Sequence, residues 1–315
     1  MFYVIYGEIE FPATASRGKV VIRRFSSIRI DSSWKTLTDT AAVVLPRNTS
    51  DFDKDKLNAF FRPGDQVIIR AGYNGEMIEE FRGYISSVTT GVPVVINCED
   101  EMYQLKRKQA SISKAKCTIK QLLEAIAPGY KITCKDESIG SVRYSGKMTS
   151  EILDDIRSKL GLYTYFRGKT LVCGRTATDI DKTSSIILER QASESIKDRA
   201  VERVFVRVVS PQKKGKPLKA EKGDSTGNMI SIRQPNLTQV EIDTVAKALY
   251  KKATTPGLDG DLTLFGIPSL QHGSKASIKS LFYPEKDGTY YIDSVTKTIA
   301  SGQGYRQVSK LGFKA

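Results

Sequence analysis

The chain has 315 residues, a formal net charge of +14 and 40% hydrophobic residues. At about 150 residues per domain, this length predicts two domains or three small ones, each able to bury a core without staples. Aromatics at 9% exclude global disorder, and no run of about 18 apolar residues is present to cross a membrane as a helix.

Two counts remove most enzyme classes. His272 is the single histidine, so a two-histidine metal site is excluded and any Ser-His or Cys-His pair would have to use it. Cys98, Cys117, Cys134 and Cys173 are never closer than 17 positions, so no C-x-x-C metal or redox motif exists. Four buried, reduced thiols are expected. No catalytic, cofactor-binding or metal-ligating residue is assigned. The start, MFYVIYGEIEF, has acids where a secretory leader needs an apolar core, so a chain kept in a cytosol or released by lysis is expected.

Residues 1–105 read as short strands. Phe2–Tyr6, Val20–Ile22 and Ala41–Leu45 are rich in β-branched and aromatic residues, and Asp31-Ser32-Ser33-Trp34 interrupts like a turn. Asp51–Phe61 has the spacing of one short helix, with Leu57, Phe60 and Phe61 on a face. Arg62-Pro63-Gly64-Asp65 is a turn that launches Gln66–Ala71, and Asn74-Gly75 is a hairpin signal. Phe81–Thr90 and Val94–Cys98 complete the set. Glu99, Asp100 and Glu101 would cap a helix starting near Met102.

Residues 106–175 read as a duplicated helix-strand unit. Thr118 and Gln121 fit a capping box before the helical face Leu122, Leu123, Ile126, followed by the strand Tyr130–Cys134. Ile152, Leu153 and Ile156 repeat that spacing, Gly161 stops the second helix, and Tyr163–Phe166 and Thr170–Cys173 follow as strands.

Residues 176–315 return to strands, with one helix at about 238–252 whose buried side is expected to be Val240, Val245, Ala248 and Leu249. Val204, Val206 and Val208 alternate with Arg203, Phe205 and Arg207. Leu262–Phe265, Ala276–Leu281, Thr289–Thr298 and Val308–Phe313 are the last strands, with a hairpin at Asp287-Gly288.

The two β regions share a signature. Phe61-Arg62-Pro63-Gly64 precedes one strand and Leu270-Gln271-His272-Gly273 another. Downstream, Tyr84-Ile85-Ser86-Ser87-Val88-Thr89 and Tyr291-Ile292-Asp293-Ser294-Val295-Thr296 agree at five of six positions. An internal duplication is expected, with His272 at the Pro63 position of a structural turn. The fold class is therefore mainly β with an α+β insert: two related small β-barrels flanking the duplicated helix-strand region.

The basic residues form two clusters. One is Lys106-Arg107-Lys108 with Lys114, Lys116 and Lys120. The other is Lys213, Lys214, Lys216, Lys219 and Lys222, which reads as a solvated loop. An acidic protein neighbour or nucleic acid would each be attracted. Without interleaved aromatics, nucleic acid is expected only as passing cargo. Lys106, Arg107, Lys108, Lys213, Lys214, Lys216 and the single tryptophan Trp34 are the candidate partner contacts, although Trp34 also reads as a plug at one barrel end.

The arrangement resembles the baseplate hub proteins of contractile phage tails, the late control D group that includes the hub of phage Mu. The residues that carry the likeness are Phe61–Asp65, Phe81-Arg82-Gly83-Tyr84-Ile85, Val95–Asp100, Leu160–Tyr163, Gly266-Ile267-Pro268-Ser269-Leu270 with Gly273, and Gly288–Ile292 with Val295. Pro63, Gly64, Gly83 and Gly273 are the signature turn positions. The family is also similar to the first half of type VI secretion spike proteins. The resemblance implies a non-enzymatic homotrimer that adapts a hexameric tail tube to a trimeric spike, with baseplate wedge and tape-measure proteins as further neighbours. It implies a place in the virion tail, assembled in the host cytoplasm. A tail-tip protein of a non-contractile tail shares these features, and a basic nucleic-acid-binding β-barrel is the alternative from another class.

Overall fold

The computed structural model describes residues 4–46, 60–89, 91–177, 180–191, 193–199, 201 and 203–315. The expected helix at Asp51–Phe61 falls almost wholly outside them. The first region holds β1 (Ile5–Phe11), β2 (Val20–Ile22), β3 (Ser27–Ser33), β4 (Thr40–Leu45), β5 (Gln66–Tyr73), β6 (Glu76–Thr89) and β7 (Val94–Glu99). The middle holds α1 (Met102–Leu105), β8 (Gln109–Thr118), α2 (Ile119–Ile126), β9 (Lys131–Cys134), β10 (Ser138–Met148), α3 (Thr149–Leu160), β11 (Tyr163–Arg167) and β12 (Thr170–Gly174). The third region starts with β13 (Thr183–Ile187), β14 (Ser193–Glu194), β15 (Lys197–Asp198), β16 (Val204–Ser210), β17 (Leu218–Gly223) and β18 (Asn228–Arg233). It ends with α4 (Gln239–Thr254), β19 (Leu258–Asp259), β20 (Asp261–Phe265), β21 (Lys275–Lys279), β22 (Gly288–Ala300) and β23 (Gly304–Lys314).

The chain is mainly β with an α+β insert. The two β regions are not separate sheets. They form one continuous sheet in the order β14-β20-β23-β22-β3-β4-β7-β6-β5-β1-β2, with β21 on β22 and β13 on β21. The link is the antiparallel pairing of β3 with β22, from Ser33 opposite Ser294 to Ser27 opposite Ala300. Each β region wraps its own apolar core. Ile9, Val43, Ile69, Ile85 and Ile96 fill the first, and Leu262, Ile278, Ile292 and Leu311 fill the second. Ile299 and Tyr305 cross from the second region into the first core, so the seam is packed as well as hydrogen-bonded.

The middle region is larger than 106–175. Val204, Val206, Val208, Ile242, Ala246 and Leu249 share one core with Leu122, Leu123, Ile152, Ile156 and Leu171. Residues 204–249, expected in the second barrel, therefore pack on the α/β layer. The chain leaves the second β region after β15 and returns at β19. The buried face of α4 is Ile242, Ala246 and Leu249, not the expected Val240 and Ala248, which are exposed. The capping box at Thr118 is formed, as is that at Thr238 with Glu241. Gly161 ends α3 at φ +63°. Long strands β8 and β10 precede α2 and α3 and pair with each other, so the repeated unit is strand-helix-strand. Lys114 and Lys116 lie on β8, and Lys219 and Lys222 on β17 rather than in a loop.

Candidate functional site

The signature turns are built alike. Gly64 has φ +97° and Gly273 φ +82°, backbone that favours glycine. The Gly64 amide donates to the Ile85 carbonyl at 2.8 Å, and the Ile85 amide returns a bond to the Asp65 carbonyl at 2.9 Å. The Gly273 amide donates to the Ile292 carbonyl at 2.8 Å, and the Ile292 amide to the Ser274 carbonyl at 2.9 Å. Gln66 then faces Tyr84, as Lys275 faces Tyr291. Both matched strands slip by one residue just after the isoleucine, at Ser86 and at Asp293. The sequence duplication is thus a duplication of the turn's register and of this bulge; β22 adds a second irregularity against β23, between Tyr290 and Ile292, that β6 lacks against β7. Gly83 is required for a different reason, because a Cβ there would meet the Glu99 carbonyl at 2.1 Å. Pro63 is exposed, whereas His272 at the matching position is 1% exposed.

His272 is buried at a three-way junction. Its Nε2 lies 3.4 Å from Asp39 of the first β region, and its carbonyl accepts from Arg167 of β11 at 2.7 Å. Tyr165 packs edge-on against the ring at 5.0 Å. Trp34 holds a second junction. It is 2% exposed and packs against Tyr163 of β11 at 4.8 Å, while its Nε1 donates to Asp293 Oδ1 at 2.9 Å. The ammonium of Lys252 on α4 sits 5.1 Å from the Trp34 ring and donates to the Arg175 carbonyl at 2.7 Å. Trp34 therefore joins the three parts of the chain. As a contact to another chain it is corrected, because its side chain has almost no free surface.

Further along the seam, where Lys297 lies opposite Ile30, is a buried polar cluster. Lys297 of β22 is ion-paired with Glu80 of β6, both almost fully buried. Ser269 joins them, accepting from Lys297 at 2.7 Å and donating to Glu80 at 3.0 Å. The Tyr305 hydroxyl donates to Glu80, and burial followed by the Glu80 charge pushes its pKa up. Gly266 admits this arrangement: a Cβ there would lie 2.1 Å from the Tyr305 ring. The Gly266–Leu270 segment is thus explained by its passage across the seam.

The basic clusters differ from one another. Lys106 pairs with Glu99, Arg107 donates to the Tyr103 hydroxyl at 2.6 Å, and Lys108 lies 5.8 Å from the Tyr130 ring. These three are tied to their own surroundings. Lys213, Lys214 and Lys216 stand exposed on the loop between β16 and β17. Cys98, Cys117 and Cys173 are buried, whereas Cys134, expected to be buried too, is only half-buried; burial pushes all four thiols up, Cys98 to about 12. Among the described residues no cluster of His, Cys, Asp and Glu could hold a metal. One exposed feature escaped the sequence reading. Leu281 and Phe282 are 82% and 76% exposed on the β21–β22 loop, which Glu189 holds by accepting from the Ser280 hydroxyl and the Leu281 amide. The signal available was an apolar triplet too close to Pro284 to continue a strand.

No protein-family model and no curated protein sequence matches the chain. Its fold does match solved structures. The tail protein from Neisseria meningitidis MC58 superposes with a TM-score of 0.68 at 15% identity, over 98% of this chain and 97% of that one. The 43 kDa tail protein of prophage MuSo2 from Shewanella oneidensis gives 0.64 at 13% identity, over 96% and 98%. The E. coli c3393 protein is a component of the type VI secretion system with structural similarity to T4 bacteriophage tail proteins gp27 and gp5. It gives 0.63 at 9% identity, over 98% and 77%. The doubled turn, the shared bulge and the packed seam thus belong to a chain with the fold of these tail and secretion-system proteins, along nearly its whole length.

Proposed function

We propose that the chain is a structural hub of a phage tail or of a phage-derived injection particle. It does no chemistry of its own. Three copies form a ring in which six related β units mimic sixfold symmetry, one face stacking on the tail tube and the other seating a trimeric spike. The observation that carries this reading is the internal repeat. Two units share a turn, a register and a bulge, and they are joined edge to edge within a tail-protein fold. A chain that presents one surface twice is suited to a partner of doubled symmetry.

The exposed lysines 213, 214 and 216 are offered to acidic neighbours, among which baseplate wedge and tape-measure proteins are candidates. The place of action is the virion tail, with assembly in the host cytoplasm. Electron cryo-microscopy of intact particles tests this. Density for the chain at the junction of tube and spike is expected. A particle that carries the chain elsewhere, or lacks it, contradicts the reading.

A further inference from the structure

The repeats can be matched strand by strand. Ile85 faces Cys98 across the bulge, as Ile292 faces Leu311, so β7 corresponds to β23. β4 pairs with β7 and β20 with β23, which makes Ala42 the counterpart of Asp261. The next strand out is β3 in the first repeat. In the second it is the stretch 193–199, which follows β20 and β19 in unbroken register. Ser27 then corresponds to Ser193, Ile30 to Ile196 and Asp31 to Lys197. Ile30 and Ile196 are both buried, as the match requires.

Within the chain, β3 uses its second edge to bind the C-terminal half of β22. That half of β22 is open to it because the turn at Gly273 stops pairing at Ile292. The first repeat has the same receiving edge. The turn at Gly64 stops at Ile85, and beyond it Ser87, Val88 and Thr89 carry no strand on that side among the described residues. Ser87 and Thr89 are exposed. The second repeat has the same donating strand, since 193–199 is paired on one side only among the described residues. Donor and receiver are different surfaces, so the contact is head-to-tail, and its one internal use leaves one of each unused among the described residues. Open edges of this kind are templates for another strand.

We propose that the strand 193–199 of one copy adds to the Ser87–Thr89 edge of β6 in the next copy. The register is that of the internal seam, with Thr89 opposite Lys197 and Val88 opposite Asp198. The inference rests on the hub reading, which sets the number of copies at three, and it assigns the strands that close the ring. The contact between copies is shorter than the internal one, because β22 continues to Ala300 while β6 ends at Thr89.

A pair of cysteines tests the register. In the internal seam the matching side chains meet, with Thr296 Oγ1 donating to Asp31 Oδ1 at 2.7 Å. The full chain carrying T89C and K197C together is oxidised mildly. Both sites are exposed, and circular dichroism checks the fold. Cross-linking between copies is expected, reversed by reductant and ending at three chains. The single variants, and a T89C/K169C pair with its second cysteine in the β11–β12 turn, should not give the three-chain product. A native mass of three chains without the T89C–K197C cross-link overturns the strand assignment and leaves the hub reading standing. A cross-linked ladder that runs past three chains keeps the strands and overturns the three-copy ring. A monomer without cross-links overturns both.

Discussion

A methyl group at Gly64 would meet open space, with only the Tyr103 hydroxyl near, at 3.9 Å. The cost of Gly64→Ala is therefore backbone strain alone, about 1–2 kcal/mol at φ +97°. Gly273→Ala should cost at least as much, because it shares the positive φ and is buried besides. Denaturant unfolding measures both, and a neutral result at either would break the claimed equivalence. Glu80 is a harder loss. Glu80→Gln leaves the Lys297 ammonium buried without its counter-charge, a cost of about 3–5 kcal/mol. Replacing both, E80Q with K297M, should recover part of it. If the double variant is less stable than E80Q, the pair is not what holds this part of the seam.

Lys252 adds a pH dependence. Burial first, and then the nearby Lys35, bring its pKa down to about 8 from the ordinary 10.5. The folded state thus gives up this proton at lower pH than the unfolded chain does. Between those two values the unfolded chain binds more protons, so this group makes stability rise with pH. The melting temperature of wild type relative to Lys252→Met should climb from about pH 7 to about pH 10. A flat difference would mean that Lys252 is solvated in the native protein.

At the scale of elements, the sequence was most legible where a local rule had one outcome. Thr118 and Thr238 each carry their cap partner three residues on, and both boxes form. Asn74-Gly75 forms its hairpin with both residues at positive φ. The repeat was legible because it included a glycine turn. Elements whose role depends on distant packing were not. β8 is mostly exposed and has no alternation, so Gln109–Thr118 read only as a basic stretch. The face of α4 was read out of phase because Val240 is apolar yet exposed, while Ile242 meets a core supplied by β16 and α2. Trp34 lies next to a turn in sequence, but its burial comes from Tyr163, Val172 and Ala177, residues far along the chain.

The basic clusters belong to this scale too. Charge reversal of Lys213, Lys214 and Lys216 should leave folding unchanged and lower the yield of assembled tails, since these side chains are exposed. Normal tail yield would remove the cluster from the assembly contacts. Reversal at Lys106 should instead cost stability through its lost pair with Glu99, by up to about 1 kcal/mol.

At the scale of the molecule, the chain is two copies of one β unit fused by an edge, with an α/β layer bracing them. The brace reaches both units: His272 takes Arg167 from β11, and Trp34 takes Tyr163. Such bracing fixes the angle between the repeats, and that angle decides whether a head-to-tail contact closes into a ring or runs on as a filament. The most direct measurement is the native mass of the purified chain at low and high salt. Three times the chain mass of 34.9 kDa, unchanged by salt and by added DNA, is the expected result. A chain that stays monomeric at every concentration, and takes up DNA at low salt with an affinity that falls steeply as salt rises, would contradict it.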